Sequence, residues 1–380
     1  MSSLRHRFAA SRIAPAQTVE DFVGVQIDPE RRRGRGAGIN PSGRFEPTQT
    51  TAFDDGWGSA DDLPPFKTEV QEEKPRRIIT TNQSPDISFD RSINPYRGCE
   101  HGCAYCFARP THAYMGLSPG LDFETRLFAK PNAAKLLERE LAKPGYQPKT
   151  MAIGTNTDPY QPIEKRYRIM REILEVLDAA NHPVGIVTKS ALVLRDIDIL
   201  SRMAARNLVK VALSVTTLDR KLARAMEPRA ATPERRLAAL RLLSEAGVPT
   251  TVMVAPIIPA LNEPEIERIL DAASVAGARE AGYVLLRLPL EVRDVFKDFL
   301  ERAYPDRAKH VLSVIRSMHG GKDYDSTWHH RQRGDGPYAW QIGRRFELAA
   351  RRAGLNREKR SLDKTQFRSP QPTGAQLSLL

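Results

Sequence analysis

Three cysteines sit within eight residues, in the run Cys99-Glu100-His101-Gly102-Cys103-Ala104-Tyr105-Cys106, and the chain has no others. An odd number confined to one loop excludes a disulfide framework, so these thiols are there to bind or to react. Three readings compete for the spacing of three residues and then two. A structural zinc site usually wants four nitrogen or sulfur ligands; His101 or His112 could add a fourth, but no second pair of ligands follows. A redox dithiol needs only two cysteines and leaves Cys99 unexplained. A 4Fe-4S cluster held on three corners uses all three thiolates and leaves one iron open. An open coordination position is the mark of chemistry rather than scaffolding.

The rest of the chain has to position such a loop. Its 380 residues, 41% hydrophobic, allow one large catalytic domain or two ordinary ones. No apolar run approaches the roughly 20 residues of a membrane span, and Met1–Gln17 is basic without an apolar stretch, so the expected compartment is the cytoplasm. From about Ile78, short runs rich in β-branched residues alternate with amphipathic segments. The runs are Thr150–Gly154, Pro183–Thr188, Leu208–Val215, Pro249–Ala255 and Tyr283–Leu288. Between them lie helical patterns such as Arg166–Ala180, with Ile169, Ile173, Leu174 and Leu177 on one face. Another segment starts at Thr232, a capping residue, with Pro233 in the first helical position and Gly247 at the end. This alternation implies parallel strands joined by crossover helices. With a strand near Asn94, it predicts about six βα units over residues 85–320, either an open (β/α) barrel or a flat doubly wound sheet. Periodicity alone does not separate the two.

Both ends differ in texture. The net charge is +12, and residues 331–380 carry eleven Arg and Lys against four Asp and Glu. Residues 41–75 reverse the balance, with Asp54, Asp55, Asp61, Asp62, Glu69, Glu72 and Glu73 among eight acids against three bases. With Arg31-Arg32-Arg33-Gly34-Arg35-Gly36 and Pro64-Pro65, and no sustained period, residues 1–75 are expected to be largely disordered. The arginine run reads as a solvated tail or as a nucleic-acid contact. Residues 321–380 read as a separate basic, aromatic-rich extension with a helix near Tyr338–Ala353, where Ile342, Phe346, Ala349 and Ala353 make the apolar stripe. His319, Tyr324, Trp328, His329, His330, Arg331, Arg333, Tyr338 and Trp340 interleave rings with cations. Such a surface suits base stacking and phosphate pairing, and equally a cap over a barrel mouth.

Cys99-x3-Cys103-x2-Cys106, with the aromatic Tyr105 before the last cysteine, resembles the radical SAM superfamily signature. The wider stretch Asn94-Pro95-Tyr96-Arg97-Gly98-Cys99 through Cys106 is similar to the branch related to spore photoproduct lyase. The resemblance covers residues 85–320. It implies an α/β fold, a partial (β/α)6 barrel, with the cluster loop after the first strand. It also implies a 4Fe-4S cluster on Cys99, Cys103 and Cys106, and S-adenosylmethionine on the open iron. An electron donor of the flavodoxin or ferredoxin type would drive cleavage to a 5′-deoxyadenosyl radical, which abstracts a substrate hydrogen.

Ligands of parallel barrels gather at the C-terminal ends of the strands. There the resemblance places Tyr105 beside the cosubstrate. It suggests Thr155, Asn156 and Asp158 for the methionine ammonium, although the family's Gly-Gly-Glu is absent and an Asx turn fits as well. Lys189 is assigned to the methionine carboxylate, with a solvated surface lysine as the other reading, and Ser214 with Thr216 to the ribose, where a buried strand serine fits as well. Ala255 and Ile257, in a segment similar to the family's adenine-binding strand, are assigned to adenine through backbone and apolar contact; Ala255, Pro259 and Asn262 depart from that pattern. DNA-repairing lyases of this branch use a further cysteine as hydrogen donor. None exists here, leaving Tyr96 or Tyr160 as stand-ins. Nucleic acid is the leading substrate class. The alternative is a non-catalytic metal- or cluster-binding regulator that contacts nucleic acid through basic tails.

Overall fold

The computed structural model describes residues 30–46, 65–358 and 360–370. Ten strands follow in order: β1 (Glu69–Glu72), β2 (Ile79–Thr81), β3 (Arg91–Ile93), β4 (Tyr96–Arg97), β5 (Arg126–Ala129), β6 (Met151–Ile153), β7 (Val184–Thr188), β8 (Val209–Ser214), β9 (Thr250–Ile257) and β10 (Glu280–Leu285). Seven form the main sheet in the order β10-β9-β8-β7-β6-β3-β2, and β1, β5 and β4 form a small second sheet. From β3 to β10 all neighbours are parallel, while β2 is antiparallel to β3.

That order resolves the alternative left open by periodicity. A doubly wound sheet reverses its direction of growth at a switch point. Here each crossover adds the next strand on the same side, so the six parallel strands make one singly wound arc with helices outside. β2 and β10 are its two edges, and the barrel is therefore partial. Alternating apolar residues of β7, β8 and β9 are buried, as in Val184, Ile186, Val209, Val211, Val252 and Val254. They meet the stripe Ile169, Ile173, Leu174 and Leu177 of the helix Ile169–Ala179 in one continuous core. The helix Pro233–Glu245 begins where expected, with the Thr232 hydroxyl accepting from the Arg235 amide. The last strand begins earlier than its apolar run suggested, at Glu280, because Ala281 and Gly282 pair with β9 without contributing hydrophobic bulk.

Both ends require correction. The expectation of disorder over 1–75 does not extend to residues 30–46 and 65–75, which are packed; β1 pairs with β5, and Ala37 is fully buried. Met1–Gln17 and the acidic run Asp54–Asp62 lie outside the described residues. The C-terminal segment is integral rather than separate. The helix Gly336–Arg352 buries Ile342, Phe346 and Ala349. Its Arg345 joins Glu263 and Glu267 at the helix Ile266–Val275, and Phe346 packs on Tyr283 at 4.7 Å between ring centroids. The chain then runs beneath the barrel. Amides of Asn356, Asp363 and Arg368 donate to carbonyls of Arg279, Asn207 and Ala180, which precede β10, β8 and β7. The loop before that helix links the sheet edges: the Gln332 carbonyl accepts from Leu285 of β10, and Arg331 binds Asp86 and Ser84 in the β2–β3 connection. No helix among the described residues is long and apolar enough to cross a membrane.

Candidate cofactor site

The cysteine loop leaves β3 through β4 and is held from below by a buried ion pair. Arg109, fully buried, donates to the Cys103 carbonyl at 2.9 and 3.1 Å and to the Gly120 carbonyl at 2.7 Å. Its partner Glu124, at 2.5 Å, also accepts from the amides of Gly36 (2.9 Å) and Ala37 (2.8 Å). One carboxylate thus ties the arginine-glycine segment to the cluster loop, and Arg35 reinforces it on the Glu124 carbonyl at 2.8 Å. Contact there is backbone on backbone: a Cβ on Gly36 would stand 1.7 Å from the Gly102 oxygen. The run that reads as a tail or a nucleic-acid contact is instead a strap, for residues 35–38, across the cysteine loop.

From the barrel side, Gln161 holds the same loop. Its amide nitrogen donates to the Gly98 carbonyl and its oxygen accepts from the Glu100 amide, both at 3.0 Å. Cys99 and Cys103 are buried, Cys106 is half-buried, and all three are free thiols. Burial pushes all three thiols up in pKa; the charges of Asp158 toward Cys99 and Glu227 toward Cys103 add to this. Such donors ionise against a cationic partner, as iron provides. Among the described residues no three His, Cys, Asp or Glu side chains converge as a single-ion site needs. Three thiols in one loop with no fourth thiol fit a cluster, where each sulfur takes a different iron, better than a structural zinc site, which wants four ligands.

The strand ends supply a second constellation facing this loop. Asp158 accepts from the Thr188 hydroxyl and the Lys189 amide, each at 2.7 Å, and from the Tyr160 amide at 2.9 Å, with His101 Nδ1 at 3.4 Å. Burial alone would raise its carboxyl, but the His101 charge and these hydrogen bonds hold it at about 2. Its oxygens are therefore engaged in joining the β6 loop, the β7 end and the cysteine loop. Thr155 and Asn156 lie half-buried on that loop, and the Asn156 amide donates to Asn94 at 3.2 Å. Gly154 is required at the turn, since a Cβ would meet the Val187 oxygen at 2.0 Å.

The Lys189 ammonium stands 5.8 Å from the Tyr105 ring centroid. The Tyr105 hydroxyl donates to Glu227, which also receives the Thr216 hydroxyl at 2.6 Å and pairs with buried Arg236. Burial would raise the Glu227 carboxyl; Arg236 and Lys189 bring it to about 2. Ser214 is buried, with its carbonyl on Arg236 at 3.0 Å. Ala255 is half-buried and Ile257 fully buried on β9. Asn262 does not replace the family's glutamate as a free polar group. It binds the Thr216 and Pro256 carbonyls at 2.7 and 3.0 Å and fastens β8 to β9.

Tyr96 and Tyr160 are brought together, but in the core. Tyr96 donates to Glu164, Tyr160 to Asp196 at 3.2 Å, and Arg195 bridges the two carboxylates. Both side chains belong to the main core cluster, whereas Cys103 and Tyr105 belong to a second one. Sequence reasoning missed Gln161, Glu124, Arg109, Glu227 and Arg236. Their partners are distant in sequence, and an isolated Arg or Gln carries no local signal.

A radical SAM superfamily domain is matched over residues 93–273. An uncharacterized protein of Mycobacterium tuberculosis is 40% identical over 232 residues, covering 60% of this chain and 68% of that protein. Among solved structures, spore photoproduct lyase complexed with dinucleoside spore photoproduct superposes with a TM-score of 0.55 at 16% identity, over 75% of this chain and 80% of that one. A double mutant of the lyase with bound AdoMet and dinucleoside spore photoproduct covers the same shares, with a TM-score of 0.51 and 16% identity.

Proposed function

The chain belongs to the radical SAM superfamily, and on that premise we propose that it is an enzyme abstracting hydrogen from a nucleic-acid substrate. The observation that carries the radical chemistry is the gathering of Cys99, Cys103 and Cys106 in one clamped loop over the C-terminal ends of parallel strands. Bound there, a 4Fe-4S cluster and S-adenosylmethionine supply a 5′-deoxyadenosyl radical. The chain's own side chains bind, orient and shield. Lys189 takes the methionine carboxylate and offsets its charge. Thr155 and Asn156 accept from the ammonium, while Asp158 fixes both loops rather than binding it. Ser214 serves the ribose, and Tyr105, Ala255 and Ile257 wall the adenine. The strap over Gly102 covers one side of the loop and would limit access of oxygen to a cluster held there.

Three observations support nucleic acid as substrate. A cavity of about 370 Å³ is lined by Arg220, Lys221 and Arg224. Its flank is joined to the cysteine loop through the Ala104 amide on the Met226 carbonyl at 3.0 Å. Trp328 and Phe107 expose ring surface, at 55% and 44%, as bases require for stacking. A flavodoxin- or ferredoxin-type protein donates the electron in a reducing cytoplasm.

Anaerobic reconstitution, then dithionite and S-adenosylmethionine, tests the core of this reading. The wild-type chain should turn brown and release 5′-deoxyadenosine. A Cys103→Ala chain should retain neither iron nor cleavage; undiminished cleavage without that thiol would remove the assignment. Labelled single-stranded DNA tests the substrate class: binding that weakens steeply with salt is expected, and no binding at low salt would rule it out.

A further inference from the structure

Several arginines drawn into this molecule are paired with carboxylates. Arg109 meets Glu124, Arg236 meets Glu227, Arg195 meets Glu164 and Asp196, and Arg331 meets Asp86. Arg287 meets no carboxylate among the described residues. It lies just past β10, where a parallel barrel presents ligands, and its Nε is buried with no hydrogen-bond partner. Its contacts among the described residues are the Phe107 ring, 4.9 Å from the guanidinium carbon, and the Tyr324 hydroxyl at the long distance of 3.5 Å. Phe107 directly follows Cys106, so this uncompensated cation faces the cysteine loop.

A second unsatisfied group contacts the same tyrosine, Tyr324. His319 is only 4% exposed, yet neither ring nitrogen has a partner. Its ring lies 6.3 Å from that of Tyr324, which therefore touches both residues. Buried polar groups in folded proteins are nearly always paired, and those left open call for an explanation. A neutral imidazole offers one N–H and one lone pair, the guanidinium offers charge and N–H donors, and the tyrosine offers a hydroxyl. Such a set matches a phosphate: anionic, with several acceptor oxygens.

We propose that Arg287, His319 and Tyr324 form a phosphate-anchoring site at the end of β10, holding a nucleotide unit of the substrate against the cysteine loop. This rests on the nucleic-acid reading above and names the residues that would recognise the substrate's charged group. It lies outside residues 93–273, where the family domain is matched. It is also separate from Lys189, which answers the cosubstrate's carboxylate.

Calorimetric titration of the reconstituted full chain with inorganic phosphate tests the anchor. Arg287→Met, close in shape and without charge, should weaken phosphate binding at least tenfold, with Arg287→Lys intermediate. His319→Phe should weaken it about threefold. Each variant is checked to melt with the wild type, and exposed Lys309→Met should leave the titration unchanged. Phosphate affinity untouched by Arg287→Met overturns the site. So does a loss of S-adenosylmethionine affinity in its place, which would assign the arginine to the cosubstrate. Titrations with thymidine 5′-phosphate and with the dinucleotide TpT then separate a free nucleotide from a strand phosphodiester. If phosphate binds through Arg287 but neither nucleotide does, the nucleic-acid reading fails while the anchor stands.

Discussion

The floor of the cysteine loop and the rim at the end of β10 handle buried charge in opposite ways. In the floor, Arg109 and Glu124 are fully buried, and between them they bind three loop carbonyls, of Cys103, Pro119 and Gly120, and two strap amides. At the rim, among the described residues, Arg287 has no carboxylate and the His319 ring nitrogens have no hydrogen-bond partner. A saturated buried pair tolerates no ligand and specifies one backbone arrangement. An unsaturated one costs stability in the free protein and is useful only if something arrives to complete it. The floor is therefore built to hold the loop's shape, and the rim to receive.

Breaking the floor should produce the largest effect. Glu124→Ala strands Arg109 and two amides, and denaturant unfolding of the cofactor-free chain should lose about 3–5 kcal/mol. Gly36→Val, which forces a side chain against the Gly102 carbonyl, should cost about 1–3 kcal/mol by the same measurement and speed loss of cluster absorbance in air. If Gly36→Val leaves both unchanged, the strap does not shield the loop. Between floor and rim, Lys189→Met should weaken S-adenosylmethionine binding about tenfold by calorimetry, with the iron content intact.

Acid should separate the regions further. The carboxyls of Asp158 and Glu227 are both held at about 2 in the folded chain, against ordinary values of 3.8 and 4.5. A carboxyl depressed on folding contributes stability that is complete above its unfolded value and is lost as pH falls through the folded one. Stability should accordingly fall between about pH 4.5 and pH 2, and Glu227→Gln should flatten that fall in a melting series. The smallest effect belongs to Arg33→Ala. This arginine, just before the strap, is exposed and pairs with Glu30 at 4.0 Å, and its loss should leave unfolding and cluster lifetime as they are.

Legibility in the sequence followed the range of the interactions. The strands β7, β8 and β9 and the helices Ile169–Ala179 and Pro233–Glu245 show because a periodic apolar face and a cap are local patterns. The cysteine loop shows because its three ligands lie within one turn of chain. The strap did not, because glycine and arginine carry no period, and Arg35 is buried only once Glu124 and Thr68 meet it. Asp158 was legible as a site residue but not in its role, since a carboxylate on a strand-end loop looks the same whether it faces a ligand or another loop.

Taken alone, the amino-acid order determined that three thiols share a loop and that parallel βα units follow it. Spacing and periodicity are properties of neighbours along the chain. Tertiary structure decided that the sheet winds singly into an open arc, and that an arginine-glycine run closes over the loop. It also decided that the C-terminal segment ties the barrel from beneath, and that Arg287 Nε and the His319 ring nitrogens are buried without hydrogen-bond partners. Each of these depends on groups far apart in sequence meeting under burial, where only the finished packing determines which charges find a partner.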